Sequence, residues 1–549
     1  RRGPIVSRLE PLKVRLRAVR TAAVTGRLRL RRLCWRWLPR WLHRRHDVVT
    51  ELDVHAYRAE LIGTLSAILA RAQIDHLILD QRLLDPPRIV IDARQARAAI
   101  RALRRAAESR RWWAATAHYA SVGRATALAW PRIGLPGRTG LMLSRNLVSP
   151  DGVELLDSEQ GILLEFWRPQ LTEAPAAGGG WHAAGTLWAP LGNGVLDHAD
   201  PSLWAQIQAN DFRLPARPPH LLLLNEPVDL VYTWVDGTDP VWLRRRAEVL
   251  GEEVMAQASV DAAIDARFIP RDELRYSLRS VQMFANWVNR IWVVTDQQVP
   301  SWLVGDERLR VVDHREIYAD PSVLPVYNSH SIESQLHHIP GLADHYLYLN
   351  DDMLFGAPVQ PEDFFHGNGI SKFFTSLALL DVSAIDPRDM AVTSAAKNNR
   401  ALIEAEFGRT ITNKLRHTPQ PQVRPVLEEF EAQHPEIFDS VMRSPVRRPS
   451  DYSLPSSLNQ YYAFARGRAV TGRIRYEYLD LGVARPQDVL AVWLIRRRIS
   501  TLCINDSGED SAAERRPKEV ALRAFFEEYF PLPSRWERGD GSGTRSAAR

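Results

Sequence analysis

The hydrophobic and polar positions along the chain fall into two stretches with different rhythms. From Glu51 to about Arg111 the apolar spacing is helical, with Ala, Leu and Arg dominant over Ala96 to Ala107, and it is interrupted by the strand-like run Pro87-Arg88-Ile89-Val90-Ile91. Val153 to Asp157 and Ile162 to Trp167 follow, joined by the turn residues Ser158 to Gly161, and this pattern predicts a hairpin. Ala174 to Gly180 reads as a small-residue loop. Arg213-Leu214-Pro215-Ala216-Arg217-Pro218-Pro219 is the clearest linker. Residues 47–212 are therefore expected to form an N-terminal α+β module, and 213–220 the linker behind it.

Beyond the linker, strand-like and helical runs alternate. They are Val228 to Trp234, Arg271 to Ala285, Arg290 to Thr295, Arg308 to Val312, Ser331 to Ile339 and His345 to Leu349. Alternation of this kind predicts an α/β layer with a mainly parallel, Rossmann-like sheet, whose ligands sit beyond the C-terminal strand ends. After Phe355 the pattern loosens into helices and loops, so helical C-terminal additions are expected. Residues 221–535 are read as one catalytic domain and 536–549 as a disordered tail.

Charge changes this picture at one end only. The 549 residues carry a formal net charge of +6, but residues 1–46 hold fifteen Lys or Arg against the single acid Glu10, contributing +14 and leaving −8 for the rest. Within Cys34-Trp35-Arg36-Trp37-Leu38-Pro39-Arg40-Trp41-Leu42, Trp and Leu interleave with Arg. This is the composition of a segment that lies on an anionic membrane surface, guanidiniums on phosphates and indoles at headgroup level. A solvated tail has the same composition. No nucleic-acid motif accompanies the charge. Only two cysteines, Cys34 and Cys503, are present, which fits a reducing compartment. No run reaches the roughly eighteen apolar residues of a membrane span, and no signal-peptide pattern opens the chain. The expected location is cytoplasmic, peripheral at the inner face of the plasma membrane where the leader engages lipid.

The candidate chemistry lies at the predicted strand ends. Val231-Tyr232-Thr233-Trp234-Val235-Asp236-Gly237 brings Trp234 and Asp236 to a Gly-containing turn, where a base could stack and a carboxylate hold a ribose hydroxyl or a metal. Taken singly, a buried Trp and a turn Asp are the commoner setting. Arg275 and Arg279 share a helix face with Arg271, and stacked guanidiniums suit a diphosphate; salt bridges to neighbouring acids are the alternative. The helix precedes another strand-end motif, Trp292-Val293-Val294-Thr295-Asp296. In Tyr346-Leu347-Tyr348-Leu349-Asn350-Asp351-Asp352 two adjacent carboxylates follow a hydrophobic strand and repel one another unless a divalent cation neutralises them. Mg²⁺ or Mn²⁺ would join such a pair to a diphosphate.

Four blocks together resemble the Stealth family of sugar phosphotransferases. They are Asp229 to Asp239; Arg271 to Leu303, with Asp272-Glu273-Leu274-Arg275-Tyr276-Ser277-Leu278-Arg279-Ser280; Tyr327 to Gly356, with Ile332-Glu333-Ser334 and Asn350-Asp351-Asp352; and Leu502 to Asp506. The form with an N-terminal module and a basic leader is most similar to actinobacterial exopolysaccharide and capsule enzymes. The resemblance implies a core similar to glycosyltransferase-A folds, a divalent cation (Mg²⁺ or Mn²⁺), a UDP-linked nucleotide-sugar donor and a glycan acceptor. It implies transfer of hexose 1-phosphate or N-acetylhexosamine 1-phosphate with release of UMP.

By motif matching, the resemblance makes Asp351, Asp352 and Asp506 the metal ligands, and His417, Arg448, Asp352 and Asp506 the catalytic residues. Trp234, Asp236, Gly237, Arg275, Arg279, Asp296, Glu333, His337 and Asn350 fall on its substrate-binding positions. Around Arg448 the chain departs from many relatives, reading Pro449-Ser450-Asp451-Tyr452-Ser453 in place of a second acid and a helical continuation. The local chemistry alone equally suits a metal-dependent glycosyltransferase that attacks the anomeric carbon and releases UDP.

Overall fold

The computed structural model describes residues 46–538 apart from 83, 85, 107–111, 119–120, 123–125, 128–138, 157–159, 177–179, 191–192, 260–267, 483–484, 496 and 507–511. The leader predicted over residues 1–46 thus falls, but for His46, outside the described residues. The chain divides into two units, residues 1–220 and 221–549. Among the described residues no helix is long and apolar enough to cross a membrane.

In the first unit, helix Val54–Arg71 begins where the Asp53 carboxylate accepts hydrogen bonds from the His55 and Ala56 amides, at 2.8 and 3.2 Å. Its buried Leu61, Leu65 and Leu69 form one face. Strand Ile162–Pro169 lies inside a sheet, parallel to Arg88–Asp92 and antiparallel to Gly140–Arg145. The hairpin expected between residues 153–157 and 162–167 does not form; Glu154 instead bridges Val148. Period-two alternation identifies a strand but not its partner, and here two longer strands take both ladder edges. The buried Glu165 on this strand is held by Arg88 at 3.0 Å and by the Trp167 indole at 2.9 Å.

The second unit is built on five strands in the order β3-β2-β1-β4-β7, where β1 is Val228–Thr233, β2 Ile291–Thr295, β3 Leu309–Asp313, β4 His345–Asn350 and β7 Gln420–Val423. The first four are parallel and β7 is antiparallel to β4. The near-continuous burial of β1, β2 and β4 explains their unbroken apolar runs, because both faces of a parallel sheet are covered. Asp229 is the polar exception in β1. Its buried carboxylate accepts from the Asn289 amide, the Arg290 and Ala343 backbone N–H groups and the Trp292 indole at 2.8–3.1 Å, tying the beginnings of three strands together.

A smaller sheet crosses the chain. β5 (Met353–Phe355) pairs antiparallel with β9 (Thr501–Asn505), and β9 runs parallel to β8 (Tyr476–Asp480). Helix α1 (Glu273–Phe284) is wedged between the two sheets and is buried almost all round. Two serines moor it: the Ser277 hydroxyl donates to the Met353 carbonyl at 2.5 Å, and the Ser280 hydroxyl accepts from the Phe355 N–H at 2.9 Å. Its Tyr276 stacks on Phe526 of the helix Ala512–Tyr529, ring centroids 4.6 Å apart. Trp536 is fully buried and Glu537 is bonded to α1, so residues 536–538 belong to this folded unit and not to the tail expected from residue 536 onward. An aromatic ring with no exposed surface and a carboxylate with two cationic partners are anchors that local composition does not disclose.

Candidate active site

The strand order reverses between β1 and β4, and their C-terminal ends open into a cavity of about 620 Å³. A crevice at that switch point is where open α/β sheets bind ligands, and the volume suits a nucleotide sugar. Thr233 and Asn350 are register partners at its edge. The Tyr348 hydroxyl lies between them, donating to Asn350 Oδ1 at 2.8 Å with Thr233 Oγ1 at 3.3 Å. Trp234 continues β1 into the cavity wall.

Asp351 and Asp352 leave β4 at the floor. The small sheet brings residues 503–506 to them, since Cys503 is the register partner of Met353 and the Ile504 N–H donates to the Asp352 carbonyl at 3.1 Å. Cys503 Sγ donates to Asp352 Oδ2 at 3.4 Å, while Asp352 Oδ1 is buried with no hydrogen-bond partner. From the other side come Arg271 and Glu273, set around Asp272, whose φ of 66° is a left-handed conformation that Asp tolerates. The Arg271 guanidinium pairs with Asp506 and lies 3.8 Å from Glu273, whose Oε2 also accepts the Arg271 N–H at 2.5 Å.

Four carboxylates, Glu273, Asp351, Asp352 and Asp506, thus line this part of the cavity, with the Arg271 guanidinium beside Glu273 and Asp506. Burial, and then the charge of its neighbour Asp352, raises the Asp351 carboxyl; burial and Asp351 raise Glu273. Burial pushes Asp352 up to about 7, against the lowering effect of the Cys503 hydrogen bond. An unpartnered buried oxygen on Asp352, beside a second carboxyl raised by burial, is the chemistry a hard divalent cation satisfies, so the donor set fits Mg²⁺ or Mn²⁺.

His417, Lys414 and Arg416 reach the cavity from the segment that begins with β6 (Asn413–Leu415), and Arg447 from a later loop. His417 stands against Tyr478 with centroids 5.3 Å apart, and the protein around it, then Lys414, lowers its imidazole below the ordinary value. Glu333 also lines the cavity, accepting from Ser456 Oγ at 2.6 Å. Asp296 lines it while paired to Arg245 at 3.0 Å.

Several expected site residues stand elsewhere. Arg275 and Arg279 face Glu537, at 2.5 and 2.7 Å, and Arg279 Nη1 donates to the Phe530 carbonyl at 2.9 Å; neither lines the cavity. Their shared helix face is covered by the segment around residues 530–537, and Arg271, one turn earlier, is the arginine at the floor. His337 is buried against Glu431 at 2.7 Å, away from the cavity lining. Asp236 closes a turn with the Thr238 N–H and hydroxyl at 2.9 and 2.6 Å. Gly237 acts by size, because a Cβ there would meet the Phe268 carbonyl oxygen at 2.2 Å, blocking the loop that leads to Arg271. Arg448 is outside the cavity lining, its N–H donating to Asp451 at 3.0 Å, and Arg447 is the neighbour that lines it, donating to Ser329 Oγ at 2.7 Å. Glu273 escaped notice because nothing in its spacing distinguishes it from a surface acid at a helix start.

Four family models match in chain order: Stealth protein conserved region 1 over residues 226–253, region 2 over 267–373, region 3 over 405–464 and region 4 over 494–547. An exopolysaccharide phosphotransferase of Streptomyces coelicolor is 42% identical over 424 residues, covering 73% of this chain and 68% of the relative. The chain belongs to the Stealth family. A second exopolysaccharide phosphotransferase of S. coelicolor is 41% identical, covering 75% of this chain and 76% of the relative. Exopolysaccharide phosphotransferase CpsY of Mycobacterium tuberculosis is 38% identical, covering 58% and 60%. A solved galactosyltransferase, LgtC, in complex with donor and acceptor sugar analogs aligns at 12% identity with a TM-score of 0.27, covering 55% of this chain and 96% of that one. The Stealth regions meet at the cavity: region 1 supplies Trp234, region 2 Arg271, Glu273, Asp351 and Asp352, region 3 His417 and Arg447, and region 4 Asp506.

Proposed function

We propose that this Stealth enzyme transfers a sugar 1-phosphate, as hexose or N-acetylhexosamine 1-phosphate, from a uridine-diphosphate sugar to a glycan hydroxyl in exopolysaccharide or capsule synthesis. The observation that carries the reading is the set Glu273, Asp351, Asp352 and Asp506 at the switch-point cavity, with Asp352 Oδ1 left unpartnered, in a chain similar to named exopolysaccharide phosphotransferases. Asp351, Asp352 and Asp506 would hold a divalent cation, which would supply charge neutralisation for a diphosphate.

The rest is the work of the chain. Trp234 offers a face for the base. The acceptor oxygen attacks the phosphorus next to the sugar, the bond from that phosphorus to the bridging oxygen breaks, and UMP leaves. His417, neutral at physiological pH, takes the hydroxyl proton. Arg447 and Arg416 are the cavity cations for the charge spread over the transferring phosphoryl oxygens, in place of the Arg448 expected from sequence. Arg271 holds Asp506 in position.

Incubation of the full chain with Mn²⁺, a panel of UDP-sugars and glycan acceptors, with mass spectrometry of both products, tests this. UMP together with an acceptor heavier by a sugar phosphate is the expected result. UDP and a glycoside would make the enzyme a glycosyltransferase, and donor turnover with no glycan product would overturn the acceptor class.

A further inference from the structure

Outside the cavity, among the described residues, one group of side chains converges at ligand distance. His337 and His338, on the short helical turn Leu336–His338, and Glu431, on helix Arg424–Gln433, bring their donor atoms within 4.8 Å of one another. Both Nε2 atoms aim at the same carboxylate oxygen, Glu431 Oε2, at 2.7 Å from His337 and 2.8 Å from His338.

The proton positions make this arrangement informative. His338 Nδ1 lies 3.1 Å from the Ile317 carbonyl, which can only accept, so the proton of a neutral His338 ring is on Nδ1. Its Nε2 lone pair then points at a carboxylate, a repulsive contact unless the ring is doubly protonated or a cation lies between them. An imidazole fixed through Nδ1–H to a backbone carbonyl, with Nε2 turned inward, is the arrangement that orients metal-bound histidines. No second hydrogen bond sets the tautomer of the other ring, because His337 Nδ1 is buried without a partner among the described residues. Its Nε2 is free to serve as donor or as ligand.

The geometry points to a transition-metal site, of the class Zn²⁺ prefers, formed by His337 Nε2, His338 Nε2 and Glu431, with solvent in the fourth position. Zinc bonds of about 2.0–2.1 Å require tetrahedral ligand atoms roughly 3.3 Å apart, so the cluster opens by about half an ångström on binding. The side chains of His338 and Glu431 are 27% and 26% exposed, which gives the ion and its water a path, while His337 is wholly enclosed. The ion would fasten the turn that precedes β4 to the helix that follows β7, outside the catalytic cavity. The inference does not depend on the phosphotransferase reading.

The test is a titration of the chelator-stripped full chain with Zn²⁺ against a chromophoric competitor, with Co²⁺ absorption reporting coordination. One equivalent is expected to bind, unchanged in Asp352→Asn, and to weaken about tenfold or more in His338→Gln and in Glu431→Gln. Circular dichroism of both variants without metal, matching wild type, shows that they fold; if one does not, the other carries the comparison. Zinc that is lost in Asp352→Asn but kept in the two cluster variants would place it in the catalytic cavity and overturn the assignment. So would wild-type protein that binds no zinc, leaving His338 as an imidazolium paired with Glu431.

Discussion

Two clusters of arginine and carboxylate lie at opposite ends of the same short stretch, and they differ in stoichiometry. Arg275 and Arg279 meet Glu537, which accepts from both guanidiniums while Arg279 also reaches a backbone carbonyl, and Glu537 is almost fully enclosed. Here cations outnumber the acid and the polar atoms bond within the protein, which is the signature of an anchor. At the cavity floor Arg271 pairs with Asp506 and lies near Glu273 and Glu519, Asp351 and Asp352 are raised by burial and by neighbouring carboxylates, and Asp352 Oδ1 is buried without a partner among the described residues. A buried carboxylate oxygen left unpartnered among the described residues is open to a bound cation. The number of arginines on a helix face says little; the balance of what surrounds them says more.

The comparison breaks most visibly at Asp352. Asp352→Asn should lower sugar 1-phosphate transfer by about a thousandfold or more while leaving thermal stability equal or higher, because the substitution relieves repulsion at the floor. Release of UMP and a melting curve on the same preparation check both halves. Glu537→Gln should do the reverse. Removing the acid strands two guanidiniums and should cost about 3 kcal/mol in denaturant unfolding, with KM for the donor little changed in the protein that remains folded. If KM rose and stability held, the anchor would be part of the donor site after all.

The anchor also carries a pH signature. Burial alone would raise the Glu537 carboxyl, but the hydrogen bonds and charge of Arg279, with the Ser534 N–H and Arg275, hold it below its ordinary 4.5. A folded value below the unfolded one means that this stabilisation is complete above about pH 4.5 and is lost as pH falls through the folded value. Glu537→Gln should therefore flatten the acid side of the stability profile. The smallest effect is expected at His417. Lys414→Met removes the lesser of the two causes that lower its imidazole, so the acid limb of kcat/KM should move up by only a few tenths of a pH unit. A shift of the alkaline limb instead would remove His417 from the role of base.

Much of the second unit was legible because its strands are buried on both faces and read as apolar runs ending in polar motifs; Trp234, Asn350, Asp351 and Asp352 lie where those runs stop. Asp506 was legible only through its motif, since a strand pairing across some 150 positions leaves no local trace. The choice of arginine was not legible. Helical spacing put Arg271, Arg275 and Arg279 on one face, but which of them meets the cavity depends on the segment that lies over that face, and Glu537, the acid that holds two of them, falls in the stretch expected to be a tail. His337 is a substrate contact only by the family resemblance, and the helix carrying Glu431 shows where it points. In the first unit, alternation at Ile162 to Trp167 announced a strand without naming its neighbours.

The pairing of Met353 with Cys503 also sets an order of events. A chain emerging from the ribosome exposes Asp351 and Asp352 long before residues 501–538 exist to supply Asp506 and to clamp α1. Until then the two aspartates lack the strand that pairs beside them, and the cavity floor is incomplete.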